Sequence, residues 1–212
     1  MEKYNIIILI PARNEFWTLN KILRILINKN FQIILIDDAS SDETLKIKNK
    51  KNLTILRNKT KIGYENSIIK GFKYIKKLKK FSHIITFDAD GEHKVSDLKK
   101  FYKFVNYDLV IGKRNKMNRF LEKIISYLFF RKYKLRDPLS GLKMYSIKSL
   151  YNLNFNKELF LVDLSAKIII DEKLNSINTE INTKKRKDEP RIGNSFYVNF
   201  KLIKILIFLI FS

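Results

Sequence analysis

The chain has 212 residues and no cysteine, so disulfides, thiolate zinc sites and cysteine nucleophiles are excluded. Its 43 Lys and Arg against 21 Asp and Glu give a formal net charge of +22, yet 45% hydrophobic content is that of a folded domain. An excess of this kind implies an anionic partner: nucleic acid, an acidic membrane surface or a phosphorylated substrate. The competing explanation is compositional, because Lys, Asn and Ile are all abundant, as in proteins of AT-rich genomes.

"MEKYNIIILIPARNE" has too short an apolar run for a signal peptide and leads into charged residues. Within it "NIIILI" (5–10), ended by Pro11, reads as a buried strand. "TLNKILRILINK" (18–29) has helical apolar spacing, and "FQIILID" (31–37) is a second strand. "SSDETLKIK" opens a helix in which Ser40 and Glu43 are placed as a capping box. A strand at 52–56, a helix at 65–78, a strand at 83–88, a helix from Ser96 and a strand at 107–112 follow. This alternation predicts an α/β sandwich with a mostly parallel central sheet flanked by helices. Ligands of such sheets bind outside the carboxyl ends of the strands, where Asp37, Asp38, Asp88 and Asp90 all fall.

The second half is less regular. "RFLEKIISYLFFRKYKLR" (119–136) carries an apolar stripe and a basic end, a pattern suited to an anionic membrane interface. "VDLSAKIIIDEKL" (162–174) has a helical pattern, 176–182 that of a strand, and "KKRKDEPR" (184–191) that of a basic loop. At the C-terminus the longest unbroken apolar run, Ile205 to Phe211, is far short of the ~20 residues that cross a bilayer. A helix lying in or against a membrane, or the beginning of a span that stops early, is expected there, with packing onto the domain core as the alternative. The expected organisation is a catalytic domain over 1–195 and an apolar, membrane-associated helix over 196–212.

"ITFDADGEH" (85–93) sets two acids one residue apart in this basic chain. In extended backbone Asp88 and Asp90 point the same way, and Gly91 lets the chain turn afterwards. Mg²⁺ or Mn²⁺ takes hard oxygen ligands and is often held by one or two carboxylates plus substrate phosphates. An EF-hand is excluded because Gly91 is fourth from Asp88, not sixth. Alone, Asp-Ala-Asp-Gly is also an ordinary turn sequence.

"IPARNE", "IDDASSDET", "FDADGEH" and "IGKR" follow successive strands, and in that order the chain resembles the family 2 glycosyltransferases of the GT-A fold. "RDPLSGLKMYS" (136–146) and "RIGNS" (191–195) are similar to signatures of the dolichyl- or polyprenyl-phosphate sugar transferases. The resemblance implies nucleotide contacts from Pro11, Arg13, Glu15, Ile36, Asp38 and Asp88, and a Mg²⁺ or Mn²⁺ held by Asp88, Asp90 and Glu92. It implies that Arg114 and Arg191 grip the diphosphate and acceptor phosphate, and that Ser140, Gly141 and Ser195 belong to the acceptor side. Asp90, Arg114, Asp163 and Arg191 are the implied catalytic set.

The implied reaction inverts the anomeric carbon of a GDP- or UDP-sugar and delivers the sugar to a polyprenyl or dolichyl phosphate at the cytoplasmic face of a membrane. A saccharide hydroxyl is the alternative acceptor, and no nucleic acid is expected as partner, since no RNA-binding pattern of aromatic and basic residues is present. Three departures are visible. "FLVDLSAK" keeps Asp163 but has Ser165 where relatives carry an acid; Arg13 replaces an aromatic; and Glu65 in "KIGYENS" replaces a glycine. A missing general base suits a phosphate acceptor, which is already anionic near neutral pH. His93 follows the acid motif, and His83 reads as a strand residue.

Overall fold

The computed structural model describes residues 5–117, 119–151, 174–184 and 195–211. Five apolar runs form the parallel framework: β1 (Ile6–Ala12), β2 (Gln32–Asp37), β3 (Leu53–Arg57), β4 (His83–Thr86) and β5 (Leu109–Arg114). Helices α1 (Phe16–Asn28), α2 (Tyr64–Leu78), α3 (Leu98–Phe101) and α4 (Phe120–Tyr133) intervene. β6 (Lys143–Ser146), β7 (Ser176–Ile181) and α5 (Ser195–Phe211) complete the described chain.

The seven strands lie in the order β3-β2-β1-β4-β6-β5-β7. β6 runs antiparallel to both β4 and β5, and every other pairing is parallel. β1 is buried along its whole length, as a strand covered on both faces must be. Its side chains alternate between two cores. Ile7 and Leu9 join Ile68, Phe72 and Ile75 of α2, Ile125 and Phe129 of α4, and Leu202, Ile205 and Leu209 of α5. Ile6, Ile8 and Ile10 join Leu19, Leu23 and Leu26 of α1 and Leu98 and Phe101 of α3 on the opposite face. The chain therefore leaves β1 over one face and enters β4 from the other. A crevice opens at the carboxyl ends of these two neighbouring strands, where ligands of doubly wound sheets bind.

Several local expectations change. β1 continues through Pro11, with Ala12 in register with Asp37. The expected capping box is absent: Glu43–Lys46 is one 3₁₀ turn, and its cap is Asp42, whose carboxylate accepts the Thr44 N–H. Ser40 instead accepts the Asn14 N–H. The helix expected from Ser96 is a 3₁₀ turn (Val95–Asp97), then α3, then a second 3₁₀ turn (Tyr102–Phe104). β6 was not foreseen. The helix expected at 162–174 and the loop at 184–191 fall almost wholly outside the described residues.

Candidate active site

The loops after β1 and β2 are sewn together. The Arg13 guanidinium donates to the Asp38 and Ala39 carbonyls, 2.8 Å each, so it braces the loop. Asn14, in the left-handed region at φ 54°, accepts the Ser41 N–H at 2.7 Å on its side-chain carbonyl. Glu15 precedes α1 and its carbonyl accepts the Leu19 N–H at 2.8 Å. Asp38 stands where the chain faces α2. Its Oδ1 accepts from Asn58 Nδ2 at 2.9 Å and the Ile62 N–H at 2.8 Å, and its Oδ2 accepts the Gly63 N–H at 2.9 Å. A nucleobase donor would share an oxygen already engaged by backbone. Pro11 sits in register with Ile36, which is fully buried and shapes the floor from within the sheet.

The two aspartates of the acid motif differ in environment. The Tyr64 hydroxyl donates to Asp88 Oδ1 at 2.6 Å, and His93 Nε2 lies 3.2 Å from Asp88 Oδ2. Gly141 packs so closely that a Cβ there would collide with the Asp88 carboxylate. Burial alone would raise the Asp88 pKa, but the bond and charge of His93, then Tyr64 and Arg114, bring it below its usual value. His93 is pushed the other way: burial lowers its pKa, and Asp88 overrides this to raise it. Burial, then Asp88, drives the Tyr64 pKa well up, so its hydroxyl stays protonated and donates. Asp90 Oδ1 accepts the Glu92 N–H at 2.9 Å around Gly91, whose φ of 79° favours glycine. Burial raises the Glu92 pKa against the opposing charge of Arg114.

Arg114, at the end of β5, is held by three carboxylates. Its Nε and one terminal nitrogen make a two-point contact with Asp137 at 3.0 and 2.9 Å. Glu122 of α4 lies at 3.3 Å, and Glu92 faces the other terminal nitrogen at 3.7 Å. Among the described residues that last contact is the longest of the three. Asp137 also accepts the Arg114 N–H and opens the turn that carries Ser140 and Gly141; the Gly141 carbonyl accepts the Thr86 hydroxyl at 2.8 Å. Ser140 is buried, with its hydroxyl toward the Leu142 N–H at 3.4 Å. Beneath the turn lies Lys143, fully buried, donating to the Pro138 carbonyl at 2.6 Å. Burial lowers its pKa to about 7.

The structure thus brings Asp38, Asp88, Asp90, Glu92, Arg114 and the Ser140–Gly141 turn to one end of the sheet. Asp163 and Arg191 lie outside the described residues, and Ser195 is described only as the first residue of α5. Sequence reasoning missed Tyr64, Glu122, Asp137 and Lys143. The last two stand inside the quoted "RDPLSGLKMYS", where an acid and a base six residues apart were the available signal.

Among the described residues no three acids or histidines converge closely enough to hold a metal by themselves. Asp88, Asp90 and Glu92 nonetheless put three carboxylates on one loop. Such a set suits Mg²⁺ or Mn²⁺, whose coordination substrate phosphates complete.

The glycosyl transferase family 2 model matches residues 7–160. The chain belongs to that family. It is a glycosyltransferase that uses a nucleotide-sugar. Two proteins of Methanocaldococcus jannaschii are similar to it. MJ0544 is 31% identical, with 70% of this chain and 75% of the relative covered. MJ1222 is 30% identical over 70% of this chain and 68% of its own length. Both are described as uncharacterized. Among solved structures, glucosyl-3-phosphoglycerate synthase of Mycobacterium tuberculosis, in complex with Mn²⁺, UDP and glucosyl-3-phosphoglycerate, superimposes with a TM-score of 0.75. That match has 13% identity and covers 98% of this chain and 80% of the synthase, so it shows the shared fold.

Proposed function

We propose that this family member transfers a sugar from a GDP- or UDP-sugar to a polyprenyl or dolichyl phosphate at the cytoplasmic face of a membrane. The observation that carries the reading is a lipid-suited surface built on the same helix as the site. Glu122 of α4 touches Arg114, and Phe130 lies eight residues on, ~12 Å along the helix. Over the Phe130 ring sit the Arg136 guanidinium at 4.1 Å and the Lys134 ammonium at 5.9 Å. α5 packs on α4 through Leu202, Ile205 and Leu209 and turns Phe200, Ile203, Ile207, Ile210 and Phe211 to the outside. Apolar residues beside basic and aromatic ones suit an anionic lipid interface. No described helix is long and apolar enough to cross a membrane.

The chemistry follows from charge. Arg114 and the acid loop flank the place where a diphosphate would sit. The edge of Arg114 nearest Glu92 would donate to it. A divalent ion bound there supplies further neutralisation of the leaving diphosphate. An acceptor phosphate oxygen attacks the anomeric carbon while the bond from that carbon to the diphosphate breaks, with inversion. No proton is released, so no base is required. The M. tuberculosis synthase is named for a phosphorylated acceptor too, but a soluble one.

The test is a panel of radiolabelled GDP- and UDP-sugars with Mn²⁺, offered undecaprenyl phosphate, 3-phosphoglycerate or a free saccharide. Label in the lipid fraction is the expected result. Label confined to phosphoglycerate or saccharide would overturn the lipid reading and leave the family intact.

A further inference from the structure

The stretch around Tyr64 departs from the family pattern, yet it reaches into the acid motif. We infer that Tyr64 is a positioning residue, fixing the orientation in which the Asp88 carboxylate is presented to a divalent cation. This rests on the metal reading above.

Three restraints act on Asp88 from different elements. Tyr64 engages Oδ1 at 2.6 Å, short enough for a charge-assisted O–H···O bond. His93 engages Oδ2 at 3.2 Å. The Gly141 backbone closes a third side, with no room even for a methyl group. Each carboxylate oxygen keeps a lone pair, but the plane of the group is set by these contacts. Outer hydrogen bonds of this kind orient a ligating carboxylate.

Tyr64 is itself well braced. It is the first residue of α2, and the two N–H groups before it, of Ile62 and Gly63, are both bound by the Asp38 carboxylate. A phenol on a fixed backbone has only two rotatable bonds, so the hydroxyl is delivered to a defined point. With phenylalanine at 64, Asp88 Oδ1 would lose its donor, and the group would be free to turn toward His93.

The experiment is a Mn²⁺ titration of the full chain with UDP present, followed by electron paramagnetic resonance. It compares the wild type, Tyr64→Phe, Asp88→Asn, the double variant and Asp90→Asn. Tyr64→Phe is expected to weaken Mn²⁺ about 10- to 100-fold. It should leave UDP affinity without metal unchanged and add nothing in the Asp88→Asn background. Undiminished Mn²⁺ affinity in Tyr64→Phe overturns the inference while the metal reading stands. So does an equal loss in the Asp88→Asn background, or a weakened metal-free UDP affinity, each marking a merely structural role. Wild-type protein that takes up no Mn²⁺, or Asp90→Asn that binds it normally, overturns the metal reading and this inference with it. Should Tyr64→Phe melt too low to titrate, Tyr64→Met runs the same cycle.

Discussion

Gly141 is adjacent to the Asp88 carboxylate, and the contact leaves no volume for a side chain. Gly141→Ala must push either the acid or the turn aside. Overpacking of this kind costs about 1–3 kcal/mol. The expected outcome is a thermal midpoint several degrees lower and turnover reduced at least tenfold, measured by calorimetry and donor consumption. Lys143 offers a prediction with a definite sign. Its ammonium is buried, and its pKa falls from an ordinary 10.5 to about 7 in the folded chain. Between about pH 7 and 10 the unfolded chain carries this proton and the folded chain does not. Stability from this group is therefore gained as pH rises through that window and lost as pH falls toward 7. Lys143→Met removes the dependence. The gap between variant and wild type in urea midpoint should shrink steadily from pH 7 to 9.5, and a constant gap would show that the ammonium is not desolvated as the structure has it.

At the level of elements, α2 is anchored at its start by Asp38, whose carboxylate takes three donors. Asp38→Asn presents an amide where at least one N–H must be met. It should cost about 1–3 kcal/mol, seen as a lower urea midpoint together with weaker nucleotide binding. The strands from β1 to β5 could be read from sequence because buried parallel strands are continuous apolar runs bounded by polar turns. β6 could not, since it is only four residues long and opens on Lys143, whose side-chain nitrogen only the structure shows satisfied by a carbonyl. The Ser40–Glu43 pattern matched a capping box, but Asp42 won the cap because its carboxylate also reaches the Phe16 N–H at the start of α1. The acid loop was legible from its place in a series: "IPARNE", "IDDASSDET", "FDADGEH" and "IGKR" follow successive strands in order. Tyr64 and Asp137 were not, because a tyrosine opening a helix and an aspartate before a proline are ordinary features until their partners are known.

Across the whole molecule, two forces would act toward an anionic bilayer, and they can be separated. The net charge of +22 attracts the protein over a range that salt controls, about 10 Å at 0.1 M and 3 Å at 1 M. The outward row of α5 would contribute by apolar burial, which salt does not weaken. Ile207 and Ile210 are 51% and 57% exposed, so replacing both with Glu leaves the core contacts of Leu202, Ile205 and Leu209 in place. Burying one Ile side chain fully is worth about 1.5–3 kcal/mol, and partial insertion of two, with added negative charge, should change partitioning at least tenfold. Wild-type protein should float with phosphatidylglycerol vesicles at 0.1 M salt and retain a fraction of that binding at 1 M. The double variant should bind weakly at low salt and not at all at high salt, while turning over a short, water-soluble prenyl phosphate at the wild-type rate. Equal flotation of the two proteins would assign all of the membrane affinity to charge, and α5 would then be only a packing element of the domain.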